Sequence, residues 1–259
     1  MTAPRKRLRS KIAWSDRDRI VVRGHDLATE LIGKVSLGDM AFLELKGRLP
    51  TAEESAVFNA IAITLVEHGM TPSAIAARLT YMGAPEALQG AVAAGILGMG
   101  DRFGGPVEEV ARMLQEAPPG QDRERLATAL VAGFRAAGRP VPGLGHPVHT
   151  AGDPRVTALF RVAEEAGFSG RHVELMKRIG EEARRATAKD LPINATGAIG
   201  AIASELEIPW RSVRGLAVMA RAIGLVAHLQ EELADPMATE IWKRVEEEAS
   251  EEASTELGS

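Results

Sequence analysis

No cysteine occurs in the 259 residues. That excludes disulfides and thiolate metal sites and leads to the expectation of a reducing, cytoplasmic setting. Aromatic side chains make up only 4%, and runs that alternate β-branched with polar residues are nearly missing, so a sheet-based fold has no pattern to rest on. A basic surplus is absent as well. Lys and Arg number 31 against 35 Asp and Glu, a net charge of −4, which argues against a nucleic-acid binder. The basic stretch RKRLRSK at 5–11 is followed by no apolar core, so it does not read as a secretory signal. The longest apolar run, LAVMARAIGLVAHL at 216–229, is broken by Arg221. It reads as a buried helix rather than a membrane span.

What is present is helical spacing. Hydrophobic residues make up 45% of the chain, enough for one large domain, or for a large domain with a smaller lobe. Residues 51–69 open on Thr51 with Glu54 three positions later, a capping box, and carry Val57, Ile61 and Leu65 at four-residue steps toward Gly69 as a helix stop. The stretches 105–117, 122–138, 153–167, 171–187 and 209–233 read the same way. The last is apolar on most faces and is expected to be central. About ten to twelve helices joined by Gly/Pro turns follow from this pattern. The fold class is therefore all-α. A basic arm over 1–19, one main domain over 20–245 with a smaller lobe near 140–215, and a frayed or solvated acidic tail over 246–259 complete the expected layout.

Chemistry concentrates in GLGHPVHTAGDPR at 143–155. His146 sits between Gly145 and Pro147 with no helical face to pack against, which favours a functional imidazole over a structural one. His149 is either its partner or simply exposed. The pair specifies no third metal ligand, so no metal is expected. Arg155 follows Asp153 as N-cap and Pro154 as first helical residue. Its cation opposes the helix dipole there, which either an ion pair with Asp153 or an anionic ligand would relieve. Arg221, in the most apolar helix, needs a carboxylate from the fold or from a substrate. His68 is expected to end the 51–68 helix, where the dipole favours a cation. Asn194 and Thr196 stand at the start of a helix rich in small residues, LPINATGAIGAI at 191–202, and GDRFGGPVEEV at 100–110 is a second glycine turn opening a helix. His228 lies near Glu231 and Glu232 and reads as structural, while His25 and His172 give no functional signal. Histidines, two arginines and several helix N-termini suit a polycarboxylate joined to a phosphorylated group.

The series VRGHDLATELI, FLELKGRLPTAEE, EHGMTPS, MGDRFGGPVEEV, PGLGHPVH…DPR, LPINATGAIG and ARAIGLVAHLQEE resembles the citrate synthase superfamily, and most closely its citryl-CoA lyase branch, over about residues 20–245. The resemblance implies a citrate-synthase-like, all-helical, dimeric enzyme with a large domain and a smaller lobe. Such an enzyme makes or breaks a carbon–carbon bond between a CoA thioester and a 2-oxo acid. It implies that His146 polarises the hydroxyl or carbonyl, that His68 holds the substrate, that Arg155 and Arg221 clamp carboxylates, and that Pro142, Gly143, Leu144 and Gly145 lie against CoA. Asn194, His149 and Phe103 complete the implied substrate contacts. Phe103 stands where synthases carry a histidine, which favours lyase over synthase. Thr196 stands where relatives carry the aspartate that moves the α-proton, and a threonine hydroxyl is no base at neutral pH. The expected reaction is retro-aldol cleavage of citryl-CoA or a related 3-hydroxyacyl-CoA. The alternatives are another acyl-CoA reaction on the same fold, or a CoA-binding subunit that acts by association.

Overall fold

The structure, a computed structural model, describes residues 9–145, 152–188 and 190–257, with the backbone alone for 252–257. It opens on a small antiparallel sheet of β1 (Ala13–Ser15), β2 (Ile20–Val22) and β3 (His25–Asp26), with Trp14 opposite Val21 and Val22 opposite His25. Strands of two or three residues are shorter than any periodicity can register, so the sequence gives no sign of them. The remainder is helical, as the spacing predicts. Among the described residues the helices are α1 (Leu37–Lys46), α2 (Ala52–Val66), α3 (Pro72–Gly83), α4 (Leu88–Met99), α5 (Gly105–Gln115), α6 (Arg123–Ala136), α7 (Pro154–Glu165), α8 (Arg171–Thr187), α9 (Ala195–Glu205), α10 (Trp210–Ala234) and α11 (Ala238–Leu257). Single π-turns at Leu27–Leu31 and Gly100–Gly104 precede α1 and α5.

Local chemistry sets these boundaries. Ser36 with Asp39, and Thr51 with Glu54, form reciprocal capping boxes at α1 and α2. Asp122, Asp153 and Asn194 cap α6, α7 and α9 through their side-chain oxygens. One expectation needs correction. The 51–69 helix stops at Val66, because Glu67 turns extended (φ −139°, ψ 148°), so His68 lies in the loop beyond the helix end and Gly69 supplies a left-handed turn rather than the stop. The acidic tail, expected to be frayed or solvated, is exposed over 246–251 and helical to Leu257.

Glu54 also ties the α2 cap to Arg48, whose two terminal nitrogens donate to its two oxygens at 2.7 and 2.6 Å. That pairing, helped by the Thr51 N–H and opposed by burial, holds the Glu54 carboxyl down at about 2. A carboxyl whose folded value lies below its unfolded value stabilises the fold fully above the unfolded value of 4.5, and the contribution fades as pH falls from 4.5 toward 2. Arg48→Ala should therefore lower the melting temperature most above pH 4.5, with the gap from wild type narrowing on acidification. An equal gap at neutral pH and well below pH 4.5 in calorimetry would contradict this assignment.

The main core is built on α9, in which Ala195 and every residue from Gly197 to Ser204 are buried. Small side chains make that enclosure possible. A Cβ on Gly200 would stand 2.7 Å from Val110 Cβ of α5, so the two helices meet almost at backbone distance. Helices α2, α5, α7 and α8 close around α9. A second cluster joins α3, α4 and the end of α10 through Ala77, Tyr81, Ala91, Leu225 and Leu229. Helix α10 is long and apolar enough to cross a membrane by length and composition, yet it packs on α2, α3, α4 and α5. It is not covered all round, contrary to expectation. It buries Val213, Leu216, Ala220, Leu225 and Leu229 but presents Met219, Ile223, Val226 and Leu233 outward.

Candidate active site

The glycine loop at 142–145 is fastened to the start of α9. Leu144 and Ile193 form an isolated antiparallel bridge. The Gly145 N–H donates to the Pro192 carbonyl at 2.8 Å, and the Asn194 N–H to the Gly143 carbonyl at 3.0 Å. Gly143 has φ +82°, and a Cβ there would meet Gly197 Cα at 2.7 Å, so both residues of this contact must be glycine. Asn194 then links loop to helix. Its Nδ2 donates to the Gly145 carbonyl at 2.7 Å, while its Oδ1 accepts from the Gly197 N–H at 3.1 Å and from the Thr196 hydroxyl at 2.7 Å. Thr196 is thus oriented by the cap of α9, half-buried in the first turn, where the helix dipole favours negative charge.

Asp153 joins α7 to the same point. Its carboxylate accepts from Arg155 Nε at 2.9 Å and Nη2 at 2.7 Å, from the Arg155 N–H at 3.0 Å, and from the Ala195 N–H at 3.2 Å. Burial alone would raise this carboxyl; Arg155 and the Ala195 N–H outweigh it and hold Asp153 below the usual carboxylate range. Arg155 therefore meets the ion pair weighed from its sequence position. The carboxylate at this helix start is committed to a guanidinium and is a poor proton acceptor.

A second group gathers where α2 ends against α10. Gly224 lets them touch: a Cβ there would overlap the Val66 carbonyl oxygen and stand 2.8 Å from Glu67 Oε2. Glu67 Oε1 accepts the His68 N–H at 2.7 Å, faces His228 Nε2 at 3.2 Å, and lies 3.7 Å from Arg221 Nη1. Burial pushes the Glu67 carboxyl up, but the His68 N–H, His228 and the Arg221 charge prevail and lower it. Among the described residues Arg221 Nη1 is buried without a hydrogen-bond partner, its side chain 12% exposed. A buried guanidinium nitrogen with an unused N–H is suited to receive an anionic oxygen. Gly224→Ala tests this junction by its sign. An unhindered Gly→Ala in a helix interior stabilises by up to about 1 kcal/mol, whereas forced overpacking costs about 1–3 kcal/mol. Denaturant unfolding should show the loss, and a gain would refute the close approach.

His68 is exposed beside Glu67. Phe103, 51% exposed, lies in the π-turn before α5 with the Arg102 guanidinium 5.9 Å from its ring. His146 and His149 lie outside the described residues. Among the described residues no three His, Asp or Glu side chains converge to hold a metal ion. A cleft of about 730 Å³ opens between the starts of α6 and α8, away from all of these residues. Two of its arginines are paired locally, Arg123 to Glu174 at 2.8 Å and Arg178 to Glu181 at 3.0 Å, and Arg171 donates to the Ala117 carbonyl at 2.6 Å. Sequence reasoning missed Glu67 and Arg78, which anchor the second group. The signals were there: a carboxylate directly before His68, and one arginine within the otherwise apolar AIAARLTYM.

Residues 42–243 match the family described as citrate synthase, C-terminal domain. The solved citryl-CoA lyase of Hydrogenobacter thermophilus superposes with a TM-score of 0.81 at 35% identity, over 89% of this chain and 88% of that one. ATP citrate lyase of Methanothrix soehngenii, solved with citrate and coenzyme A, gives a TM-score of 0.73 at 22% identity over 90% of this chain and 40% of its own, a likeness of fold. ATP-citrate synthase beta chain protein 1 of Oryza sativa subsp. japonica is 29% identical over 199 residues, 69% of this chain and 32% of that protein. The chain thus spans about a third of the length of that curated relative.

Proposed function

The chain belongs to the citrate synthase family, and we propose that it is a CoA-dependent carbon–carbon lyase that cleaves citryl-CoA, or a related 3-hydroxyacyl-CoA, into an acyl-CoA and a 2-oxo acid. The observation that carries this reading is the chemistry at the start of α9. The hydroxyl of Thr196 and the amide of Asn194 stand there, and Asp153, the carboxylate beside them, is paired with Arg155. Condensation needs a base for a carbon-bound proton. Cleavage needs only a base for a hydroxyl proton, which an imidazole near neutrality supplies. The similarity to a citryl-CoA lyase at 35% identity supports the same direction.

In the proposed step His146 or His68 takes the proton of the 3-hydroxyl. The O–H electrons form the ketone, the carbon–carbon bond breaks, and its electron pair passes to the thioester as an enolate. A water held by the Thr196 hydroxyl returns a proton to carbon, and the hydroxide left behind takes up the imidazolium proton, which restores the histidine. Arg221 Nη1 receives one substrate carboxylate. Arg155, held by Asp153, faces another. The half-buried end of the 142–145 loop, Leu144 and Gly145, lies along the CoA portion, while Pro142 and Gly143 are buried and Gly143 seats the loop on Gly197. The test is direct: purified protein with citryl-CoA should release oxaloacetate, read by NADH oxidation through added malate dehydrogenase. No release, with CoA binding intact by calorimetry, would leave association rather than catalysis as the role.

We further propose a homodimer. Met219, Ile223, Val226 and Leu233 recur along one face of α10, with spacings of four, three and seven that align them into an apolar stripe. A second copy covering that stripe would remove it from water. Light scattering at micromolar concentration should give about twice the chain mass of 27.6 kDa, and a single-chain mass would contradict the pairing.

A further inference from the structure

We propose that His228 is a positioning residue for the carboxylate-binding half of the site, acting through Glu67 to keep Arg221 available. The proposal rests on the reading above, in which Arg221 receives a substrate carboxylate. It begins at Arg78 of α3, whose side chain is wholly buried. Arg78 Nη1 donates to Glu232 at 2.7 Å, Nη2 pairs with Glu231, and Nε and Nη2 lie 3.3 and 3.0 Å from His228 Nδ1. A guanidinium has donors and no acceptor. His228 Nδ1 must therefore present its lone pair, which leaves the ring proton on Nε2. That N–H points at Glu67 Oε1, 3.2 Å away. The far end of the relay is fixed too, because Glu232 Oε1 accepts the Met237 and Ala238 N–H groups at the start of α11.

Glu67 Oε1 is thus shared between the His228 ring N–H and the His68 backbone N–H, and it stops 3.7 Å from Arg221 Nη1. That distance neutralises charge without making a hydrogen bond. Freed from His228, the Glu67 carboxylate would close on Arg221 and occupy the N–H that an incoming carboxylate needs. His228 thereby holds back an internal competitor and keeps the His68 backbone in register with Arg221.

Citrate is the probe, titrated calorimetrically into wild type, His228→Ala, His228→Gln and the double variant Glu67→Gln/His228→Ala, with melting temperatures recorded alongside. His228→Ala should bind citrate about tenfold more weakly or worse, since the freed Glu67 carboxylate, only 3.7 Å from Arg221 Nη1, closes on that guanidinium, while CoA affinity stays unchanged. His228→Gln, which offers a carbonyl to Arg78 and an N–H to Glu67, should restore binding. The double variant should restore it as well, because a neutral amide does not compete for Arg221, although its stability remains low. Unchanged citrate affinity in His228→Ala, or losses that track melting temperature across all variants, would overturn the relay and leave the proposed function standing. Wild type that binds CoA but no citrate would remove Arg221 as a carboxylate clamp, and the relay with it. Should His228→Ala fail to fold, nitrogen-15 spectra of the wild-type imidazoles decide, with His228→Gln identifying the His228 signals: Nε2 must be protonated and Nδ1 bare, and any other state overturns the assignment.

Discussion

Replacing His146 with alanine should lower citryl-CoA cleavage by about 10²–10⁴-fold, the range a positioned general base contributes, while CoA binding stays close to wild type. The groups around the glycine loop lead to this expectation by elimination. Thr196 and Asn194 cannot hold a proton at neutral pH. Asp153 accepts four hydrogen bonds from Arg155 and Ala195 and stays ionised, so its drive to take a hydroxyl proton is weak. Gly145, the residue before His146 in the chain, is pinned by the Pro192 carbonyl and by Asn194 at the start of α9. His68 sits at the other end, beside Glu67 and Arg221. Its alanine variant should act chiefly on KM, because the carboxylate clamp proposed at Arg221 stands there. Measured kcat and KM for acetyl-CoA release separate the two histidines. A small kcat effect for His146→Ala with a large one for His68→Ala would reverse their roles.

Thr196→Asp should give the protein an activity it otherwise lacks: deuterium uptake into the methyl group of acetyl-CoA in heavy water, at least about 10²-fold above wild type. The first turn of α9 tolerates the new charge, since a carboxylate near a helix N-terminus gains about 0.3–1 kcal/mol. The Thr196 hydroxyl now donates to Asn194 Oδ1 at 2.7 Å. A carboxylate cannot donate there and would turn toward the ligand, where a carbon-bound proton is within its chemistry. Citryl-CoA cleavage by the same variant should fall, because the new charge faces a bound carboxylate. Mass spectrometry of recovered acetyl-CoA reads the first effect and oxaloacetate release the second. Exchange no faster than in wild type would mean that position 196 does not face the reacting carbon.

Much of this was legible in the chain before any coordinates. Helix starts carry their own chemistry, so Thr51 with Glu54, Asp153 with Pro154, and Asn194 all cap where their side chains predict. The motif series located the family, and the two-glycine contact between 143 and 197 explains why both stretches read as small-residue motifs. What stayed hidden depends on packing between distant segments. Nothing near Arg78 in the sequence announces a contact with His228, 150 residues away. The most enclosed helix proved to be α9 rather than α10, because Ala and Gly let neighbours close on every side, whereas the apolarity of α10 is split between a buried face and an outward stripe. Hydropathy counts apolar residues and cannot say which of them meet a neighbour from the same chain. The end of α2 was misjudged for a similar reason: the Glu67 carboxylate is drawn to the His68 N–H and His228, and the backbone extends there instead of coiling on to Gly69.

The central claim is cleavage without a resident base for a carbon-bound proton, and one measurement in heavy water addresses it. Wild-type protein is mixed with citryl-CoA in a single turnover, and separately with acetyl-CoA alone, and the acetyl-CoA from each is analysed for deuterium. The account predicts that citryl-CoA yields oxaloacetate together with acetyl-CoA carrying one solvent deuterium, while acetyl-CoA incubated alone stays unlabelled over the same interval. Intact citryl-CoA, or rapid labelling of acetyl-CoA incubated alone, would contradict it.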